Sequence, residues 1–118
     1  MPLIRIDYND KLFTDEAYAE FMKYLLAESM RIFDTDADHI SIFSSPYGPH
    51  DLTTAIAEIE YRAGAQEFVD DTLTKEEKQA DFLTQISKVV RDYKEMHSIE
   101  QGIIVTLTIE NWKFDWIG

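Results

Sequence analysis

A chain of 118 residues, 45% apolar and 29% charged, holds material for one hydrophobic core and one domain. The absence of cysteine excludes disulfides, thiolate metal ligands and thiol nucleophiles. A formal net charge of −12, from 23 acidic and 11 basic residues, argues against nucleic acid and anionic membrane as partners; with no apolar run long enough to span a bilayer and no leader-like start, a cytoplasmic location is expected.

The first element reads as a strand from Leu3 to Tyr8, with Ile4, Ile6 and Tyr8 on one face and Leu3, Arg5 and Asp7 on the other. Pro2 stands at its start. Removal of Met1, the ordinary fate of an initiator methionine before a small residue, leaves Pro2 as a secondary amine on a rigid ring. Burial disfavours the ammonium form of such an amine and suits it to act as a general base or nucleophile. The plainer alternative is a proline that merely opens an edge strand, where a missing N–H costs nothing.

Asn9-Asp10-Lys11 is a polar turn, and Thr14 followed by Asp15 and Glu16 reads as a helix N-cap. Tyr18, Phe21, Met22, Leu25, Leu26, Met30 and Phe33 recur at helical spacing and predict a helix of about five turns. A second strand is expected over His39 to Ser44, broken by Pro46-Tyr47-Gly48-Pro49. The pattern then starts again. Thr54 to Ala63 reads as a strand, and Gly64 opens a longer acidic loop. Thr74-Lys75-Glu76-Glu77 is a capping box, Phe82 to Tyr93 carries a second apolar stripe, and Ile103 to Ile109 is strongly β-prone. An alternating tail, Trp112-Lys113-Phe114-Asp115-Trp116, closes the chain.

Two β-α-β units, residues 1–50 and 51–118, therefore make up a single domain. Right-handed crossovers place both helices on one face of a four-stranded sheet, an α+β two-layer fold. The other sheet face is expected to carry Arg5, Glu58 and Glu60 together with Leu3 and Ile56. That face is too polar for a dry core and too apolar to stay fully wet, which points to oligomerisation through it.

Met1-Pro2-Leu3-Ile4, the β-α-β repeat, the helix start Thr74-Lys75-Glu76-Glu77-Lys78-Gln79 and the closing Glu110-Asn111-Trp112 and Ile117-Gly118 together resemble the tautomerase superfamily. The helix start is similar to that of 4-oxalocrotonate tautomerase subunits. The double length is similar to the long members, 5-carboxymethyl-2-hydroxymuconate isomerase and macrophage migration inhibitory factor, as is Glu58-Ile59-Glu60-Tyr61-Arg62-Ala63-Gly64-Ala65. The resemblance implies a homotrimer with sheets lining a central barrel. It also implies that Pro2 is a cofactor-free general base for a small 2-oxo or enol acid, with arginines on the substrate carboxylate and a tail aromatic drying the pocket. Two family arginines do not carry over: Phe13 or Leu73 stands before the helix cap, and Ser41 or Val105 in the second strand. The tail aromatic is Trp112 or Trp116, and Lys113 replaces the usual glycine.

Arg62, before a glycine loop, is the best remaining carboxylate binder, with a surface pair to one of many acids as the even alternative. Arg5 is expected to face the barrel, balancing Glu58 or Glu60 there rather than touching substrate; Lys11 and Lys113 are flexible positive charges or simple solvated surface, and Tyr47 and His50 in one loop offer a donor or a second titrating group or are plain loop residues. His39, His50 and His97 have no metal-ligand spacing, and no phosphate-binding glycine loop is present, so neither metal nor cofactor is expected. A tautomerase is one reading. The other is a catalytically inactive protein of that fold, or a ferredoxin-like module that binds a ligand or partner.

Overall fold

The alternation at the amino end folds as a strand, β1 (Leu3–Tyr8), in which Ile4 and Ile6 are wholly buried and Arg5 is exposed. It belongs to a computed structural model that describes residues 2–64, 74–110 and 117, with Lys75 and Glu110 described by backbone alone. Helix α1 (Asp15–Ile32) starts where the sequence predicts, because Thr14 Oγ1 accepts the Ala17 N–H at 3.1 Å. Its buried positions, Tyr18, Phe21, Leu25 and Ser29, fall on one stripe against the sheet. Helix α2 (Lys75–Met96) repeats the device: the Glu77 N–H donates to Thr74 Oγ1 at 3.1 Å. Ile86, Val89, Val90 and Tyr93 form its buried stripe.

Strands β2 (Ser41–Pro46), β3 (Ala57–Gly64) and β4 (Ile103–Glu110) complete a four-stranded sheet of order β2-β1-β3-β4. Each half contributes a parallel pair, β1 with β2 and β3 with β4, and the halves meet where β1 runs antiparallel to β3. Two strands differ from the sequence reading by two residues or more at a boundary. β2 starts two residues late because Ala37–His39 closes a 3-10 turn, and it runs through Pro46, which an edge strand tolerates. β3 starts at Ala57 because residues 53–56 are held by irregular bonds, Ala55 N–H to Thr53 Oγ1 and Ile56 N–H to the Gly102 carbonyl. Ile56 is consequently buried, although parity had assigned it to the open face.

The core lies between the sheet and the two helices. Phe21 and Tyr93 join the helices with ring centroids 4.8 Å apart, and Phe33 stacks on Phe82 at 5.4 Å and on Tyr61 at 6.0 Å. A fully buried polar link crosses this core: Ser29 Oγ and the Tyr61 hydroxyl lie 2.8 Å apart, both residues only 1% exposed. Burial pushes the Tyr61 phenol up to about 12, partly opposed by the Ser29 bond.

Both helices end in the same way. Asp34 and Ser98 have φ of 49° and 52°; the next residues, Thr35 and Ile99, donate back to the Met30 and Lys94 carbonyls at 3.0 Å. These are Schellman ends whose left-handed position is filled by Asp and Ser rather than by the glycine that would adopt it without strain.

On the face away from the helices, register sets Leu3 beside Arg62, Arg5 beside Glu60 and Asp7 beside Glu58. Phe43 and Ile104 also lie on this face, 55% and 45% exposed. No helix among the described residues is long and apolar enough to cross a membrane.

Candidate active site

Pro2 precedes β1 by one residue, and its carbonyl accepts the Ser41 N–H at 3.2 Å, so β2 fixes the backbone at this point. Strand parity puts its ring on the helix side with Ile4 and Ile6. The ring is less than 2% exposed. Continuing the register one step beyond Leu3 brings Ile40 and Ala63 alongside it, both buried. The ring therefore sits among apolar groups, a setting that disfavours the protonated form of any amine placed there. The acids that would oppose this, Asp7, Glu58 and Glu60, project from the opposite face. The sheet itself separates them from the proline ring.

The arginines project from that opposite face as well. Arg62 pairs with Leu3, at the Pro2 end of the sheet, and its Nε lies 3.8 Å from Glu60 Oε1 with both side chains nearly half exposed. At that distance and exposure the ion pair adds little stability. Arg5 sits mid-strand opposite Glu60. Lys11 follows the far end of β1, with its N–H bonded to Asn9 Oδ1, so the length of β1, roughly 17 Å, separates it from Pro2 of its own chain. Trp112, Lys113 and Trp116 lie outside the described residues, as do Leu73 and the loop after Gly64.

Tyr47 also lies away from Pro2, because its N–H donates to the Tyr8 carbonyl at 2.8 Å, at the far end of β1. There it joins Asp7, Asp51 and Glu58 around a hollow of about 340 Å³ that sequence spacing did not foresee. Its hydroxyl is buried without a hydrogen-bond partner among the described residues. Burial, then the charges of Glu58, Asp7 and Asp51, raise its pKa. Only the β1–β3 register brings Asp7 and Glu58 together. Nothing in their sequence separation signals it.

No family model and no curated protein matches the sequence. The fold does have matches among solved structures. A 5-carboxymethyl-2-hydroxymuconate delta-isomerase superposes with a TM-score of 0.66 at 14% identity, covering 98% of this chain and 88% of its own. This chain shares the fold of that isomerase. A macrophage migration inhibitory factor-like protein from Entamoeba histolytica shares this fold, with a TM-score of 0.58 at 15% identity over 97% of this chain and 95% of that one. So does a fused 4-OT protein solved as a symmetric trimer, with a TM-score of 0.56 at 14% identity over 92% and 85%.

Proposed function

We propose that this chain is a cofactor-free tautomerase or isomerase in which Pro2, freed by removal of Met1, is the general base. The observation that carries the reading is the seat of Pro2: buried at the opening of β1 on the apolar side of the sheet, with the neighbouring acids on the other side. A neutral secondary amine there takes a proton from the hydroxyl of an enol, or from the carbon next to a carbonyl. It returns that proton at the other end of the conjugated system, so no electron acceptor or metal is needed. The substrate proposed is a small 2-oxo or enol acid.

A homotrimer belongs to the same proposal. It is supported by the exposed apolar residues Phe43 and Ile104 on the open sheet face and by the trimer among the fold neighbours. Arg62 is assigned to the substrate carboxylate, with Arg5, Lys11, Lys113 and the tail residues Trp112 and Trp116 as further contributors from either protomer. A second reading, a binding protein on the same fold, is favoured by one observation: Arg5 and Arg62 sit across the sheet from Pro2.

Intact mass spectrometry combined with phenylpyruvate ketonisation separates the two. The enzyme reading expects Met1 to be absent and Pro2→Ala to lower kcat/KM by about 10²-fold or more. Equal rates for the wild type and Pro2→Ala, with Met1 absent from both, would leave the binding reading.

A further inference from the structure

A groove on the outer side of the domain, between α2 and the edge strand β4, carries chemistry that the Pro2 site does not use. Ser87, Val90, Arg91 and Lys94 recur along one stripe of α2 and face Gly102, Ile103 and Val105 across a hollow of about 310 Å³. A second hollow of about 360 Å³ continues it past the helix end toward Ser98 and Ile99, and Arg91 and Lys94 line both. Val90 is buried beneath, with Ile103 and Val105 half-buried, so these three side chains supply an apolar strip in an otherwise polar lining.

Among the described residues the two cations are not engaged elsewhere. Arg31 pairs with Glu28 at 2.8 Å, and Lys88 with Asp92 at 2.7 Å. Glu95 stands one turn beyond Arg91, where such a pair would form, yet among the described residues neither Arg91 nor Lys94 makes an ion pair or side-chain hydrogen bond. In a chain of net charge −12 with 23 acids, a planar guanidinium and an ammonium are thus left together over an apolar strip. Glu95 and Glu100 flank only the outer hollow, so the inner one is the more anion-receptive.

We propose that this groove binds a small organic anion with an apolar body, its carboxylate or sulfonate held by Arg91 and Lys94 and its body lying on Val90, Ile103 and Val105. A guanidinium fork takes two oxygens of such a group and the ammonium adds a point charge. The combined hollow is of the size that small-molecule sites occupy. A bare phosphate fits less well, because it would leave the apolar strip uncovered. This proposal stands independently of the role of Pro2.

The probe is 8-anilinonaphthalene-1-sulfonate, titrated into the full-length protein by fluorescence, with amide chemical shifts followed by NMR. The expected result is saturable binding of one probe per chain, with shifts centred on Ser98, Gly102 and Ile103. Arg91→Ala with Lys94→Ala should weaken it by roughly 10- to 100-fold, the range for lost charge-assisted bonds. The uncharged analogue N-phenyl-1-naphthylamine should bind wild type and variant alike. Arg91→Lys, which keeps the charge and loses the fork, should fall between them. Shifts centred elsewhere, no saturable binding to the folded wild type, or equal affinity for wild type and the double variant would overturn the proposal.

Discussion

Removing the serine hydroxyl alone from the Ser29–Tyr61 pair should cost more than removing both hydroxyls. The two oxygens lie 2.8 Å apart between α1 and β3, with each residue 1% exposed, so neither can turn to water. In Ser29→Ala the Tyr61 hydroxyl is orphaned in the core, at a cost of about 1–3 kcal/mol, from which alanine's better helix propensity subtracts a few tenths. In Tyr61→Phe the remaining serine can rotate toward the Leu25 carbonyl one turn back, so the loss is nearer ~1 kcal/mol. The double variant leaves no unpaired group and should be more stable than Ser29→Ala by about 1 kcal/mol or more. Urea unfolding followed by circular dichroism at a fixed protomer concentration measures all four corners, because the proposed subunit association would make apparent stability concentration-dependent. A Ser29→Ala variant within a few tenths of a kcal/mol of wild type, or losses that simply add, would refute the reasoning.

The same tyrosine predicts an alkaline limit. Its folded pKa of about 12 lies above the unfolded value of 10.0, so above pH 10 the unfolded chain releases a proton that the folded chain keeps. Stability should therefore fall between about pH 10 and 12, by roughly 3 kcal/mol for this group, and Tyr61→Phe should flatten that slope in a pH series of urea midpoints. Ser98→Gly should raise stability by up to about 1 kcal/mol, seen as a higher Tm, because φ of 52° strains a residue with a Cβ. Phe43→Asp and Ile104→Asp place charge on the apolar part of the open sheet face and should shift the proposed trimer toward monomer in light scattering. A wild type that is already monomeric at micromolar concentration would contradict the proposed assembly.

How much of this was legible beforehand follows from the range of each interaction. Thr14 and Thr74 announce both helices because capping depends on residues three positions apart, and Ile4 and Ile6 announce β1 because strand alternation is local. The start of β2 was misplaced because the 3-10 turn at Ala37–His39 consumes residues that look β-prone. Ile56 was assigned to the wrong face because parity cannot be extended beyond the end of a strand. For the candidate site, position alone singled out Pro2, and parity put Arg5 and Arg62 on the other face. The Asp7–Glu58 neighbours beside Tyr47 and the cationic groove on α2 depend on cross-strand register and on side-chain direction, which no single-sequence pattern carries.

The central claim is a freed, buried and reactive amine at Pro2. It is tested most directly by mass spectrometry of the intact and digested protein after treatment with an acetylenic 2-oxo acid, whose conjugated alkyne forms a carbon–nitrogen bond with a neutral amine. The predicted result is a chain lacking Met1 that carries one adduct, on Pro2, while Lys11 and the other lysines stay unmodified. A retained Met1, or a Pro2 that stays unlabelled while lysines react, would contradict it.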